Sequence, residues 1–149
     1  MVVFGSGGNH VPLVYVRDVA RGILQAAVSH HAAGRAYLLV NDERVTQREY
    51  LGAIAAELGV PAPTRRIPYR VALTLGAALE TGARLAHRAA PPPLMRYGVQ
   101  VLGGESRFDI TRARQELDFS PQVDLAEGVR RSVEWYRATY DHEALTRNG

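Results

Sequence analysis

The sequence contains no lysine and no cysteine, and these two absences exclude several kinds of chemistry. All 18 basic residues are arginine, so a Schiff base, a phosphate-loop lysine and a tyrosine–lysine proton-transfer pair are excluded within this chain. Without cysteine there is no disulfide, no thiolate nucleophile and no cysteine-ligated metal. The histidines have no metal-ligand spacing either. We therefore expect no metal site, and no residue of the sequence is marked as catalytic.

Long hydrophobic runs are also absent. The longest apolar-leaning stretch, residues 71–83, contains Glu80 and is too short to cross a bilayer. The first residues show no signal-peptide pattern, so we expect a cytoplasmic protein without a membrane span. A length of 149 residues with 46% hydrophobic residues suits one globular domain with its own core.

The positive charge is modest and dispersed. The net charge is +3, and the arginines are interleaved with acidic residues along the whole chain. No basic stretch is combined with aromatic residues in the way that single-strand binders require, and no zinc-finger or RNA-recognition motif is present. We expect no nucleic-acid partner.

The first third of the sequence predicts two strands, each followed by a helix. Val11–Val16 is almost entirely apolar, as in a strand covered on both faces, and Asp18 is a candidate N-cap of the following helix. The helix is expected to bury Val19, Ile23, Ala26 and Ala27. Ala36–Val40 is the second candidate strand, and a capping box at Thr46 to Glu49 begins a helix that ends at Gly59.

The remaining sequence predicts a short strand near Ile67 and three further helical segments. Pro68 opens a helix with an apolar stripe of Val71, Leu75, Leu79, Gly82 and Leu85. A short helix ends at Asp118, which is expected to take a left-handed conformation. A capping box at Asp124 to Glu127 begins the last helix, whose buried side is expected to be Leu125, Val129, Val133, Tyr136 and Tyr140.

Two segments resemble the extended short-chain dehydrogenase/reductases, the family of NAD-dependent epimerases, dehydratases and 3β-hydroxysteroid-dehydrogenase-like enzymes. The first is Gly5-Ser6-Gly7-Gly8-Asn9 with the following strand and its Asp18-Val19-Ala20. The second is residues 106–121, followed by Val133-Glu134-Trp135-Tyr136 near the end of the chain. In that family these segments open and close the C-terminal, substrate-binding part.

The resemblance implies a fold class and a division of the chain. It predicts an α/β structure, a small mixed domain of short strands and about five helices belonging to a truncated Rossmann-type fold. Residues 1–140 would be the substrate-binding domain and residues 141–149 a flexible tail. The N-terminal cofactor-binding half would be missing, with apolar strand edges left for a separately encoded half or a second copy of the chain.

The resemblance also implies a function and a set of site residues. NAD or NADP is implied by the family, but no cofactor is expected to bind this chain alone, because His10 stands where the third glycine of a dinucleotide fingerprint would fall. Substrate contacts are expected from Asn9, His10, Arg96, Tyr97 and Arg107. The two arginines would meet an anionic group, with surface salt bridges as the alternative. The alternatives for His10 and Tyr97 are an exposed loop position and core packing. The phrase from Asn9 to Val16 favours the hydroxysteroid-dehydrogenase-like branch and an apolar hydroxy or oxo substrate. The alternative is a stand-alone, non-catalytic binding or dimerisation module.

Overall fold

The computed structural model describes residues 2–87 and 90–146, with side chains as far as Tyr140. The described residues form two short parallel strands and six helices, which confirms the predicted α/β class with one helix more than expected. The elements are β1 (Val3–Phe4), α1 (Val16–Val28), α2 (Gln47–Leu58), β2 (Arg66–Ile67), α3 (Tyr69–Leu85), α4 (Arg96–Gly103), α5 (Thr111–Leu117) and α6 (Leu125–Thr146). The chain divides into two compact units, which are described separately.

Unit 1 consists of the described residues in 1–11, 44–52 and 62–107. Strand β1 pairs in parallel with β2, with Val3 opposite Arg66 and Phe4 opposite Ile67. The core beside this pair consists of Phe4, Ala72 and Val99, from β1, α3 and α4. A Cβ added at Gly76 would lie 3.0 Å from the backbone nitrogen of Arg96, so this glycine lets α3 and the start of α4 approach closely.

Gln47 joins two elements of unit 1 through its side-chain amide. Its Oε1 accepts a hydrogen bond from the backbone N–H of Phe4 at 3.0 Å, and its Nε2 donates to the carbonyl of Leu102 at 2.9 Å. The residue is fully buried, and a buried amide requires such partners because an unpaired polar group is costly. The first turn of α2 is thereby tied to β1 and to α4.

Unit 2 consists of the described residues in 12–43, 53–61 and 108–149. Its core is formed by Ile110, Ala113, Leu117 and Phe119, with Tyr37 and Leu39 among the partly buried residues packed on it. Gly22 of α1 approaches this core so closely that an added Cβ would lie 2.7 Å from Cδ1 of Leu39. The absence of a side chain at Gly22 therefore allows α1 to pack there.

The sequence predicted Asp18 as the N-cap of α1, and this prediction is wrong. Tyr15 occupies the cap position, and Asp18 lies in the first helical turn with only 2% of its surface exposed. Its carboxylate accepts hydrogen bonds from the backbone N–H groups of Gln122 and Val123 and pairs with Arg21. These distant donors satisfy the buried charge, which a local pattern could not reveal.

The two long strands predicted from apolar runs are not formed. Residues 11–15 form no regular element, helix begins already at Val16, and Ala36–Val40 likewise forms no strand. The first segment makes isolated backbone contacts, such as the hydrogen bond from Asn41 to the carbonyl of Leu13 within unit 2. A strand requires a continuous ladder with a neighbouring strand, and the described residues offer none to these segments.

Three predicted helix faces are only partly correct. Helix α3 buries Ala72 and Gly76, whereas Val71, Leu75, Leu79 and Leu85 of the predicted stripe are exposed. On α1, Gly22 is buried and Ile23 is exposed. On α6, Val129 and Val133 are buried as predicted, but Tyr136 and Tyr140 are exposed. Periodicity identifies an apolar stripe, but it cannot show whether a neighbouring element covers that stripe.

The predicted helix ends agree better with the structure. The side chains of Thr46 and Glu49 satisfy each other's backbone N–H groups, at 3.2 and 2.8 Å. Gly59 and Asp118 adopt positive φ angles of 69° and 55° after their helices. Asp124 accepts from the N–H of Glu127 at 2.8 Å, although the Glu127 side chain binds arginines instead of completing the box. Helix α6 runs on to Thr146, into the predicted tail, and residues 147–149 lie outside the described residues.

Candidate functional site

The glycine-rich loop of unit 1 uses its own backbone donors internally. Gly5 donates to the carbonyl of Ile67 at 2.8 Å, Gly7 to that of Phe4 at 3.3 Å, and Gly8 to Oγ of Ser6 at 3.2 Å. Gly7 has a φ angle of 73°, and an added Cβ would lie 2.6 Å from a methyl group of Val3. The glycines therefore serve a tight turn against β1.

This loop does not fit a dinucleotide phosphate. Such a site needs free backbone N–H groups at the start of a helix, and here the three glycine N–H groups are already paired. The chain after the loop continues into a bridge between His10 and Thr46, not into a helix. That no cofactor binds this chain alone stays a prediction.

Asn9 ties the loop to the end of α4. Its Nδ2 donates to the carbonyl of Leu102 at 2.7 Å and to that of Gly104 at 3.0 Å. The two amide hydrogens thus satisfy helix-end carbonyls that have no partner within the helix. Asn9 was predicted to contact substrate, but both of its side-chain N–H groups are used in these hydrogen bonds. Its Oδ1 is the remaining polar atom of the side chain.

His10 is held by a single carboxylate at two of its atoms. The backbone N–H of His10 donates to Oε2 of Glu105 at 3.1 Å, and ring Nδ1 lies 2.9 Å from Oε1 of the same residue. An ionised carboxylate only accepts, so Nδ1 carries the proton in this contact. Arg107 donates from Nε to Oε1 of Glu105 at 3.1 Å. Glu105 thus joins the predicted site residues His10 and Arg107.

The charges around His10 are mostly compensated. Hydrogen bonds from the backbone and ring of His10 and from Arg107 lower the pKa of Glu105 to about 2. The pKa of Glu49 is lowered too, chiefly by the Thr46 N–H and hydroxyl, with a smaller contribution from His10. His10 therefore lies near two ionised carboxylates, and the cation Arg107 is itself paired.

Arg96 and Tyr97 lie at the other end of α4 from Asn9. The backbone N–H and Nε of Arg96 both donate to the carboxylate of Glu80, at 2.8 and 3.0 Å, and these bonds lower the pKa of that carboxyl. Tyr97 is 73% exposed. An eight-residue helix is about 12 Å long. The structure therefore brings Asn9, His10 and Arg107 together but does not place Arg96 and Tyr97 with them.

An apolar groove of about 600 Å³ lies along the second half of α3. Every lining residue in the described part of the chain is alanine, leucine, glycine or proline, without a charged or polar side chain: Ala78, Leu79, Gly82, Ala83, Ala86, Ala90, Pro91, Pro92 and Pro93. The groove is in unit 1, beside Glu80 and its partner Arg96. Such a surface can bind an alkyl or ring body by burial, and its described residues offer no side-chain hydrogen bond to a polar group.

Sequence reasoning missed Glu105 and Glu80, the two carboxylates that bind the predicted arginines. Glu105 could have been suspected, because it precedes Arg107 by two residues in an irregular segment. The pairing of Glu80 with Arg96 joins two helices and has no sequence signal.

Among residues 2–87 and 90–140, no three acidic or histidine side chains are grouped to hold a metal ion. Over the described part of the chain, no helix combines the length and hydropathy that a membrane crossing demands.

The known proteins that resemble this chain include reductases and dehydrogenases. No model of a known protein family matches the sequence. A 2-alkyl-3-oxoalkanoate reductase of Shewanella oneidensis is 34% identical over 132 residues, covering 85% of this chain and 34% of the relative. A 3β-hydroxysteroid-dehydrogenase/decarboxylase of Arabidopsis thaliana is 28% identical over 142 residues. Mouse short-chain dehydrogenase/reductase family 42E member 1 is 28% identical over 91% of this chain. The chain belongs to the extended short-chain dehydrogenase/reductases.

Within the extended short-chain dehydrogenase/reductases, the chain fits the C-terminal part. It spans a quarter to about a third of the length of these relatives: 34% of the Shewanella reductase, 25% of the Arabidopsis protein and 36% of the mouse protein. The epimerase Mth375 of Methanothermobacter thermautotrophicus superposes on 94% of this chain with a TM-score of 0.63 and 23% identity, covering 33% of that protein. At this identity the superposition shows a shared fold.

Proposed function

We propose that this chain is the substrate-binding part of an NAD(P)-dependent oxidoreductase acting on a hydroxy or oxo compound with an apolar body. The observation that carries the proposal is the groove on α3, whose described lining residues are all apolar. The names of two relatives, an oxoalkanoate reductase and a 3β-hydroxysteroid dehydrogenase, agree with such a substrate. Hydride transfer would come from NAD(P) bound by the whole enzyme, and this chain would bind and orient the substrate.

The pairing of Arg96 and Arg107 favours this substrate class over a nucleotide sugar. A diphosphate is usually bound by arginines whose guanidinium groups are available. Here Nε of Arg107 is bonded to Glu105 and Nε of Arg96 to Glu80, so each predicted arginine has a neutralising partner. An uncharged carbonyl or hydroxyl group is therefore better suited to these paired arginines than the two phosphates of a nucleotide sugar.

The proposal can be tested by ligand titrations followed by NMR. We expect methyl 3-oxodecanoate to shift backbone signals of α3 and residues 90–93, and UDP-glucuronic acid to leave them unchanged. Gly82→Leu should weaken ester binding by filling the groove, since an added Cβ at Gly82 meets no other atom within 4 Å. Gly52→Leu is the matched control, because Gly52 is also helical and open, but it does not line the groove. Preferential binding of UDP-glucuronic acid would contradict the proposal.

A second candidate is a non-catalytic interaction module, and the surface of unit 2 favours it. Trp135, Tyr136 and Tyr140 are exposed on α6, and the rings of Tyr136 and Tyr140 lie 4.9 Å apart between centroids. Exposed aromatic clusters are typical of protein interfaces. Light scattering after size exclusion distinguishes the two cases. A dimer that Trp135→Glu converts to a monomer would support the interaction module, and a monomer at all concentrations would count against it.

A further inference from the structure

His10 is immobilised more firmly than its loop position requires. The bridge opposite Thr46 is made by its neighbours, since the N–H of Gln47 donates to the carbonyl of Asn9 and the N–H of Val11 to that of Val45. The carbonyl of His10 accepts from the N–H of Ser106 at 3.3 Å, and Glu105 binds both its backbone N–H and ring Nδ1. A bidentate contact of one carboxylate with the backbone and ring of the same residue fixes the ring orientation. Such second contacts are how proteins select the tautomer of a functional histidine.

The second ring nitrogen of His10, Nε2, is not used by these contacts. Among the hydrogen bonds of the described residues, Nδ1 is bonded to Glu105, and Nε2 takes part in none. The side chain is 30% exposed, so Nε2 can be reached by a small molecule. With the proton on Nδ1, a neutral imidazole accepts at Nε2 from a hydroxyl group. When the ring is protonated, Nε2 donates to a carbonyl oxygen instead.

We propose that Glu105 is a positioning residue that aims Nε2 of His10 at an uncharged oxygen, carbonyl or hydroxyl, of the substrate. This inference rests on the proposed function for the class of substrate. The groove adjoins the Arg96 end of α4 and His10 lies beyond its other end, so a substrate that reaches both must span about 12 Å. The same nitrogen serves the oxidised form by donating and the reduced form by accepting, which suits an enzyme that interconverts the two.

The charges around His10 select against an anionic substrate group at this position. The carboxylates of Glu105 and Glu49 both lie near the ring, and both are ionised because hydrogen bonds lower their pKa values. Arg107, the cation of the cluster, is paired with Glu105. A carboxylate or phosphate at Nε2 would meet these two acids, whereas a carbonyl or hydroxyl oxygen brings no net charge.

The first test reads the ring itself, with the whole chain in solution. Long-range ¹H–¹⁵N spectra of the histidine rings report which nitrogen carries the proton. We expect the Nδ1–H form for His10 in the wild type and loss of that preference in Glu105→Gln. Glu116→Gln is the control, because it removes an acid bonded to Arg35 and Tyr37 in unit 2. A wild-type ring protonated on Nε2 in its neutral form would overturn the proposal.

The second test uses methyl 3-oxodecanoate and methyl 3-hydroxydecanoate as probes. We expect both esters to shift the Nε2 resonance of His10. His10→Phe should weaken their binding roughly tenfold, the usual effect of losing one hydrogen bond, and Glu105→Gln about threefold. Esters that bind equally to wild type and Glu105→Gln would overturn the inference alone. If neither ester binds the wild type, the proposed function fails, and the role of His10 fails with it.

Discussion

The carboxylate of Asp18 on α1 accepts the backbone N–H of Val123 at 3.1 Å, and the same oxygen accepts the N–H of Gln122 at 3.0 Å. Asp18 and Val123 are 105 residues apart in the sequence. The segment before α6 is therefore fastened to the first turn of α1 by a buried charge. Both partners belong to unit 2, so this contact belongs to the internal architecture of that unit.

Removing the charge of Asp18 should destabilise the protein. In Asp18→Asn the two backbone donors lose a charged acceptor, and hydrogen bonds to charged groups contribute about 1.5–3 kcal/mol each. We expect the free energy of unfolding to fall by about 2 kcal/mol, measured by urea denaturation. Glu134→Gln is the control, because Glu134 pairs with Arg130 on the surface, where the loss should stay below about 1 kcal/mol. Equal stability of wild type and Asp18→Asn would contradict this view.

Adding one methyl group at Gly22 should destabilise unit 2. The new Cβ would lie 2.7 Å from Cδ1 of Leu39 and 3.0 Å from Cδ2 of Phe119, so the core must shift. Overpacking of this kind costs about 1–3 kcal/mol, which exceeds the gain in helix propensity. Gly52→Ala, in open space on α2, should instead stabilise the protein by about 0.5–1 kcal/mol. Thermal unfolding of both variants measures the difference, and a stabilised Gly22→Ala would show that the close approach is wrong.

The contact between Glu105 and His10 should make stability depend on acid pH. The pKa of Glu105 in the folded protein is about 2, against an ordinary value of 4.5, because its carboxylate accepts hydrogen bonds from His10 and Arg107. The stabilisation by Glu105 is thus complete above pH 4.5 and disappears as the pH falls towards 2. Denaturation of wild type and Glu105→Gln should differ most above this range and converge at its lower end. A difference that grows on acidification would have the wrong sign.

The chain alone should not bind a nicotinamide cofactor. The N–H groups of Gly5, Gly7 and Gly8 are already hydrogen-bonded within the protein, so the loop presents no cradle for a pyrophosphate. We expect calorimetric titration with NADH and with NADPH to give no binding heat at millimolar cofactor. Micromolar binding of either would reveal a dinucleotide site in this chain and contradict the prediction.

Local sequence signals predicted helix ends better than strands or buried faces. The Thr46–Glu49 capping box, Gly59 and Asp118 were correct because each involves backbone groups only a few residues away. The predicted strand at Val11–Val16 was wrong because a strand depends on a partner strand, and that partner can lie at any distance along the chain.

The candidate site divides in the same way. Asn9, His10 and Arg107 were predicted as substrate contacts, and the structure places them around Glu105 and the end of α4. The sequence could not predict which carboxylates pair with the site residues or which surfaces stay exposed. The pairing of Arg96 with Glu80 is made across two helices, and the apolar groove depends on which side of α3 remains uncovered.

By itself the sequence determined the α/β class, the helix ends at Thr46, Gly59 and Asp118, and the membership in the extended short-chain dehydrogenase/reductases, because these depend on residue types at short spacing. Only the tertiary structure decided that Asp18 is a buried acceptor instead of a cap and that the stripe on α3 is exposed. It also decided that Glu105 orients His10. These features depend on contacts between residues far apart in sequence, where burial and charge compensation are settled by packing.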